Sequence, residues 1–195
     1  MKKIMMIAAM MLLSVGAFAQ NEVGQFTLKP MAGVNLATMT KTTDSKLRVG
    51  LTAGVEAEYG AAENFSISLG ALYSMQGVKG SVNSVDITYK FDYINVPVML
   101  NYYIFPGFAV KAGIQPGFKA SAKVTADSGS SSASESIKDY VKGFALSVPF
   151  GLSYEYDSFV LDARYNLGVT KVFKDDISDS KHSWFMFTLG YKFAL

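Results

Sequence analysis

The chain has 195 residues, a formal net charge of +2 and no cysteine. That is the length of one domain, and it excludes disulfides, thiolate metal sites and the acylated cysteine of a lipoprotein. Charged residues are only 17 %, against roughly 25 % in ordinary soluble domains.

The first 19 residues read as a secretory signal. Lys2 and Lys3 precede the apolar run "IMMIAAMMLLSVGAF", which is too short for a comfortable membrane-spanning helix. "AFA" at Ala17 to Ala19 is a cleavage pattern, so the mature chain is expected to start at Gln20, with residues 20–195 as one barrel domain. Losing the two lysines brings the formal charge from +2 to zero, which implies no nucleic-acid partner.

From there the chain alternates. Segment 26–36 sets Phe26, Leu28, Ala32, Val34 and Leu36 against Thr27, Lys29, Gly33 and Asn35. Segment 47–60, "LRVGLTAGVEAEYG", sets Leu47, Val49, Leu51, Val55 and Tyr59 against Arg48, Thr52, Glu56 and Glu58. Segments 65–76, 91–104, 108–122, 142–156, 159–170 and 183–195 repeat the pattern, as in Ile67, Leu69, Ala71 and Tyr73 against Ser66, Ser68, Gly70 and Ser74. Period two over these lengths predicts eight β-strands, each with one apolar and one polar face.

The connections alternate as well. "GAAEN" (60–64), "FPG" (105–107) and "YDS" (156–158) are tight turns, while 37–46, 77–86, 121–141 and 171–182 are longer, polar loops. In an up-and-down order every long loop then falls at one end and both termini at the other. Short periplasmic turns with long outer loops are the pattern of outer-membrane barrels.

Two features decide that the apolar faces meet lipid. The polar faces are mostly Gly, Ser, Thr, Asn and Gln, suited to a confined lumen. Their charges have both signs and can pair: Lys29, Arg48, Glu56, Glu58, Lys111, Lys119, Asp162 and Arg164, with Glu155 and Lys192. Aromatics also collect near the tight turns, among them Tyr59, Phe65, Tyr102, Phe108, Tyr154, Tyr156, Phe159, Tyr191 and Phe193, as in an interfacial girdle. The expected fold is an all-β, eight-stranded antiparallel up-and-down transmembrane β-barrel, closed because lipid cannot satisfy open edges. Eight strands leave an interior filled by side chains, so an open diffusion pore is not expected.

"YINVPVMLNYYI", "AGIQPGFKA", "FVLDARYNLGVT" and "FTLGYKF" resemble the PorT-like outer-membrane β-barrel family common in Bacteroidetes. The resemblance spans nearly the whole mature chain. It implies residence in the cell outer membrane and insertion by the barrel-assembly machinery; the loop pattern adds the expectation of periplasmic termini, and the apolar faces that of contact with outer-membrane lipid. That machinery commonly reads a C-terminal aromatic; here Phe193 stands two residues before the last, a departure from the pattern.

Candidate sites are few. His182 is followed by Ser183, with Asp175, Asp176 and Asp179 nearby, and a lipid-modifying hydrolase at the barrel rim is one reading. Adjacency in sequence is not triad geometry, and a solvated loop histidine is the plainer expectation. The same acids lack the regular ligand spacing and closing glutamate of a calcium loop, and no cofactor motif is present. The Ser-rich stretch "DSGSSSASESIKD" reads as an exposed loop, with a recognition tip for a protein partner as its functional alternative. Trp184 is expected to anchor at the interface on the loop side. Pro30, Pro97, Pro116 and Pro149 lie inside predicted strands, where each lacks a ladder donor. Counting back from "FPG" sets Pro97 almost opposite Pro116 with Pro149 at a similar depth, which predicts bulges or missing ladder bonds there. The functional expectation is a non-enzymatic membrane protein with a structural or partner-binding role through its loops. The alternatives are a lipid-modifying enzyme and a narrow pore or small-ligand carrier.

Overall fold

A computed structural model describes residues 23–39, 46–82, 85–127, 132–172 and 181–195; the signal segment and the Ala19–Gln20 cleavage point lie outside them. The strands are β1 (Phe26–Met39), β2 (Lys46–Ala62), β3 (Phe65–Val82), β4 (Val85–Asn95), β5 (Val98–Phe105), β6 (Phe108–Asp127), β7 (Ser132–Ser136), β8 (Phe144–Tyr156), β9 (Phe159–Gly168), β10 (His182–Tyr191) and β11 (Phe193–Ala194). β4 and β5 form one stave broken at Val96 and Pro97, and β10 and β11 another broken at Lys192. β7 is a short side hairpin on β6. Each stave pairs antiparallel with its sequence neighbours, and β10 closes on β1 from Met31↔Gly190 to Met39↔His182. The result is a closed eight-stranded ring.

Alternation then sorts the faces. Leu51, Leu69, Leu100, Leu152, Leu161 and Phe187 point outward and are exposed, while their neighbours Thr52, Ser68, Asn101, Ser153, Asp162 and Thr188 are buried inside. Rings cluster at the turn end, where Phe26 meets Tyr59 at 4.7 Å and Phe159 meets Tyr191 at 5.1 Å between centroids. The three tight turns and both ends of the described barrel share that end: Leu195 N–H donates to the Phe26 carbonyl (2.9 Å).

Two of the expected loops are partly strand. Residues 77–82 and 85–90 continue β3 and β4 as a paired hairpin, and 121–127 continue β6 and pair with β7. On β3 and β4 the facing stays in phase, while on β6 the extra residue Ala120, at the register shift opposite Asp92 and Tyr93, moves it by one; on all three the chemistry of the faces reverses. Val78, Phe91 and Ala122 are buried inside, while Lys79, Lys90 and Lys123 are exposed outside. Beyond the lipid, a strand again puts polar groups outward and apolar ones inward.

Candidate functional site

The lumen collects the side chains that carry chemistry. Near its turn-end half, Glu56 on β2 accepts from Lys29 Nζ on β1 (3.0 Å) and Arg164 Nη2 on β9 (2.7 Å), with Lys111 Nζ on β6 3.6 Å away. Asp162 accepts from Lys111 Nζ (2.8 Å) and Arg164 Nε (2.6 Å). All five are buried. Closer to the turns, Ser66 Oγ and Tyr103 OH each donate to Glu58 Oε1 at 2.6 Å. Lys192 pairs with Glu155 and stands 3.7 Å from Glu58. Lys29, Lys111, Arg164 and Lys192 thus face Glu56, Glu58, Glu155 and Asp162, and the formal charges cancel. Paired charges are tolerable in a dry interior; an unpaired one is not.

Inward glycines make room for the long cationic stems. A Cβ at Gly190 would lie 2.8 Å from Lys29 Cγ, and one at Gly151 would lie 2.9 Å from Arg164 Cγ. Gly190 and Gly151 therefore leave room for the Lys29 and Arg164 stems.

Above the ions lies a neutral polar layer. Asn35 Nδ2 donates to Ser74 Oγ (2.9 Å), Thr52 Oγ1 to the Tyr73 carbonyl (3.1 Å) and Gln115 Nε2 to Ser147 Oγ (3.4 Å). The long-loop end is closed by an apolar cap: Val78, Phe91, Tyr93 and Ala122 from the wall, with Val141 and Val172 brought in from the connecting segments. Lys142 N–H donates to the Val172 carbonyl (2.9 Å) and Lys119 Nζ to the Val141 carbonyl (2.7 Å), which ties those segments down. Between layer and cap is a cavity of about 20 Å³ bordered by Gln76, Asn95, Gln115, His182 and Trp184. It has room for about one water.

Of the charges expected in the lumen, Lys29, Glu56, Lys111, Asp162 and Arg164 meet in one network, and Glu58 joins the second. Arg48 and Lys119 do not meet them; at the long-loop end, Arg48 donates to the Gln76 carbonyl and Lys119 to that of Val141. Tyr103 completes the Glu58 site; its place between the outward Tyr102 and Ile104 already points it inward by alternation, but an aromatic ring gave no sign of a polar role there.

Two expectations are corrected. His182 is not a solvated loop residue: it opens β10 and is buried, edge-on to Phe91 (5.1 Å) and Tyr93 (5.9 Å). Among the described residues neither of its nitrogens has a hydrogen-bond partner; Asp175, Asp176 and Asp179 lie outside them. Trp184 is not an interface anchor either. It alternates inward with Met186 and is buried, because Phe185 takes the lipid side. Among the described residues no group of three His, Cys, Asp or Glu could hold a metal.

The prolines interrupt the wall without shifting its register. The pairs Asn95↔Gly117 and Val98↔Ile114 stay in step, but Val96 and Pro97 between them leave the ladder. Pro97 still accepts from Gly70 N–H (2.9 Å), and Val96 N–H reaches the Pro116 carbonyl (2.8 Å). Pro149 falls in a gap of the β6–β8 ladder, between Ala112↔Phe150 and Gln115↔Ser147. Bulges lie elsewhere, at Asp92/Tyr93 and Leu47/Thr52, so a missing N–H breaks ladder bonds here without inserting a residue.

No curated protein matches the chain in sequence. Among solved structures, the attachment invasion locus protein Ail of Yersinia pestis is similar at 17 % identity, over 88 % of this chain and 100 % of its own, with a TM-score of 0.51. Neisserial surface protein A is similar at 15 % identity, over 91 % of this chain and 99 % of its own, also with a TM-score of 0.51. At such identities the likeness is one of fold. The family model described as outer membrane protein beta-barrel domain matches residues 18–174. The chain therefore belongs to the outer membrane protein β-barrel domain family and is an outer-membrane β-barrel protein.

Proposed function

We propose that this barrel is non-enzymatic and acts through its long-loop end as a structural or partner-binding protein. The observation that carries this reading is the filled lumen: a charge-balanced plug at one end and an apolar cap at the other, with a cavity of about 20 Å³ between. Passage of a solute would require breaking buried ion pairs, and a cavity that small holds no substrate. What remains for recognition is the outer surface and the connections. The long loops then face the exterior, the turns and termini the periplasm, and the likeness of "FVLDARYNLGVT" and "FTLGYKF" to PorT-like barrels of Bacteroidetes fits that orientation.

Replacing the Ser-rich segment 127–139 with a short Gly-Ser linker tests the reading, with cross-linking in intact cells before and after. The expected result is loss of a cross-linked species while the barrel still shows a heat-modifiable folded form. Cross-linking left intact by replacement of each long loop in turn would overturn it, as would a change in lipid A on overexpression.

A further inference from the structure

Three side chains that border the cavity beneath the cap keep hydrogen-bonding capacity that the protein does not use. Among the described residues, Trp184 Nε1 and both ring nitrogens of His182 on β10, and Gln115 Oε1 on β6, have no hydrogen-bond partner. These residues are 4 %, 5 % and 1 % exposed, so bulk water does not reach them freely. Buried polar groups in folded proteins are almost always paired. Gln115 Nε2 already donates to Ser147 Oγ, which leaves the oxygen as the amide atom still to be answered.

Size and chemistry together select an occupant. The cavity of about 20 Å³ exceeds the roughly 10–15 Å³ that one water needs, and it is too small for an organic ligand. An indole N–H only donates and an amide oxygen only accepts, while a neutral imidazole does one at each nitrogen. A cation would face the indole N–H, and an anion would face the amide oxygen. A water molecule donates and accepts, so it suits the whole set. A buried water also needs about two to four polar partners, and this cavity offers three.

We propose that the cavity binds one ordered water molecule, which accepts from Trp184 Nε1 and donates to Gln115 Oε1, with His182 as its third partner. Either tautomer of His182 can complete the site, because water fills both roles. Lys142, Thr170 and Lys171 border the same cavity, on the segments that carry the cap residues Val141 and Val172. The water therefore stands where those segments meet the neutral polar layer. It also joins β6 to β10, two strands that share no ladder.

Trp184 is the one tryptophan of the chain, so a proton–nitrogen correlation spectrum of the folded, deuterated protein in lipid nanodiscs holds a single indole peak. The expected result is a rotating-frame Overhauser contact between that indole proton and the water resonance. The contact is retained in Ser147→Ala and in His182→Phe, and lost when Gln115→Leu and His182→Phe are combined. Heat-modifiability on gels establishes that each variant is folded. An indole proton without a water contact in the parent overturns the proposal, as does a contact that survives in the double variant. Loss in Ser147→Ala or in His182→Phe alone assigns the signal to that side chain's own exchanging proton and overturns it as well. A shift of the indole peak when bromide replaces chloride makes the occupant an anion, against the proposal.

Discussion

Arg164 and Glu56 are 108 residues apart in sequence, yet Arg164 Nη2 lies 2.7 Å from Glu56 Oε2 inside the barrel. The contact spans the lumen from β9 to β2 and joins strands that share no ladder. It turns a ring of local hairpins into a cross-braced object, because the same guanidinium also holds Asp162.

Glu56→Leu leaves Lys29, Lys111 and Arg164 facing Asp162 alone. Stranding buried charge typically costs about 3–5 kcal/mol. Urea unfolding in lipid vesicles should show a loss of that order. The double variant with Arg164→Leu should lose less than the sum of the two single changes; strict additivity would mean that the pair is not coupled.

Leu51 is 60 % exposed on the lipid face and Thr52 is 2 % exposed in the lumen. An arginine at Leu51 should cost on the order of 2–4 kcal/mol near mid-membrane. Thr52→Ala removes one hydrogen bond to the Tyr73 carbonyl, worth about 1 kcal/mol. Folding yields into vesicles rank the two, and a larger loss at Thr52 would invert the facing.

His182 contributes packing. His182→Phe keeps the edge contacts to Phe91 and Tyr93, each about 0.5–1.5 kcal/mol, and should fold like the parent. His182→Ala should lower the urea midpoint while leaving lipid A and peptidoglycan unaltered. Loss of an activity on either in a folded His182→Ala protein would restore the hydrolase reading.

Pro97→Val with Pro116→Val restores two donors beside the break between β4 and β5, one aimed at β3, where the Pro97 carbonyl already accepts from Gly70, and one from β6 towards Val96. Insertion should proceed normally, and cross-linking to any partner should be unchanged, because the gap serves the curvature of a small barrel. Cross-linking abolished in the inserted double variant would make the gap a functional seam.

The membrane-spanning part of the fold was legible because lipid enforces strict alternation on every stave. Legibility failed where that force ends. At Val78–Lys79 and Lys90–Phe91 the outward face turns polar and the inward face apolar, so a template seeking apolar-out strands reads loop. His182 and Trp184 were misread for the same reason: near the strand mouth, an amphipathic ring can face either the interface or a cap. The charged lumen residues could be named from alternation, but which of them meet could not. Glu56 finds Arg164 through ring closure, a relationship with no local sequence signal, while Arg48 and Lys119 share the facing and stand at another height.

The central claim is that the lumen is plugged, and single-channel recording in planar bilayers tests it most directly. Folded protein, inserted at levels verified by heat-modifiability, should give no discrete steps above baseline. Reproducible openings of uniform size from the parent chain would contradict the account, since ions would then have to pass the Glu56–Arg164 brace and the cap around Phe91.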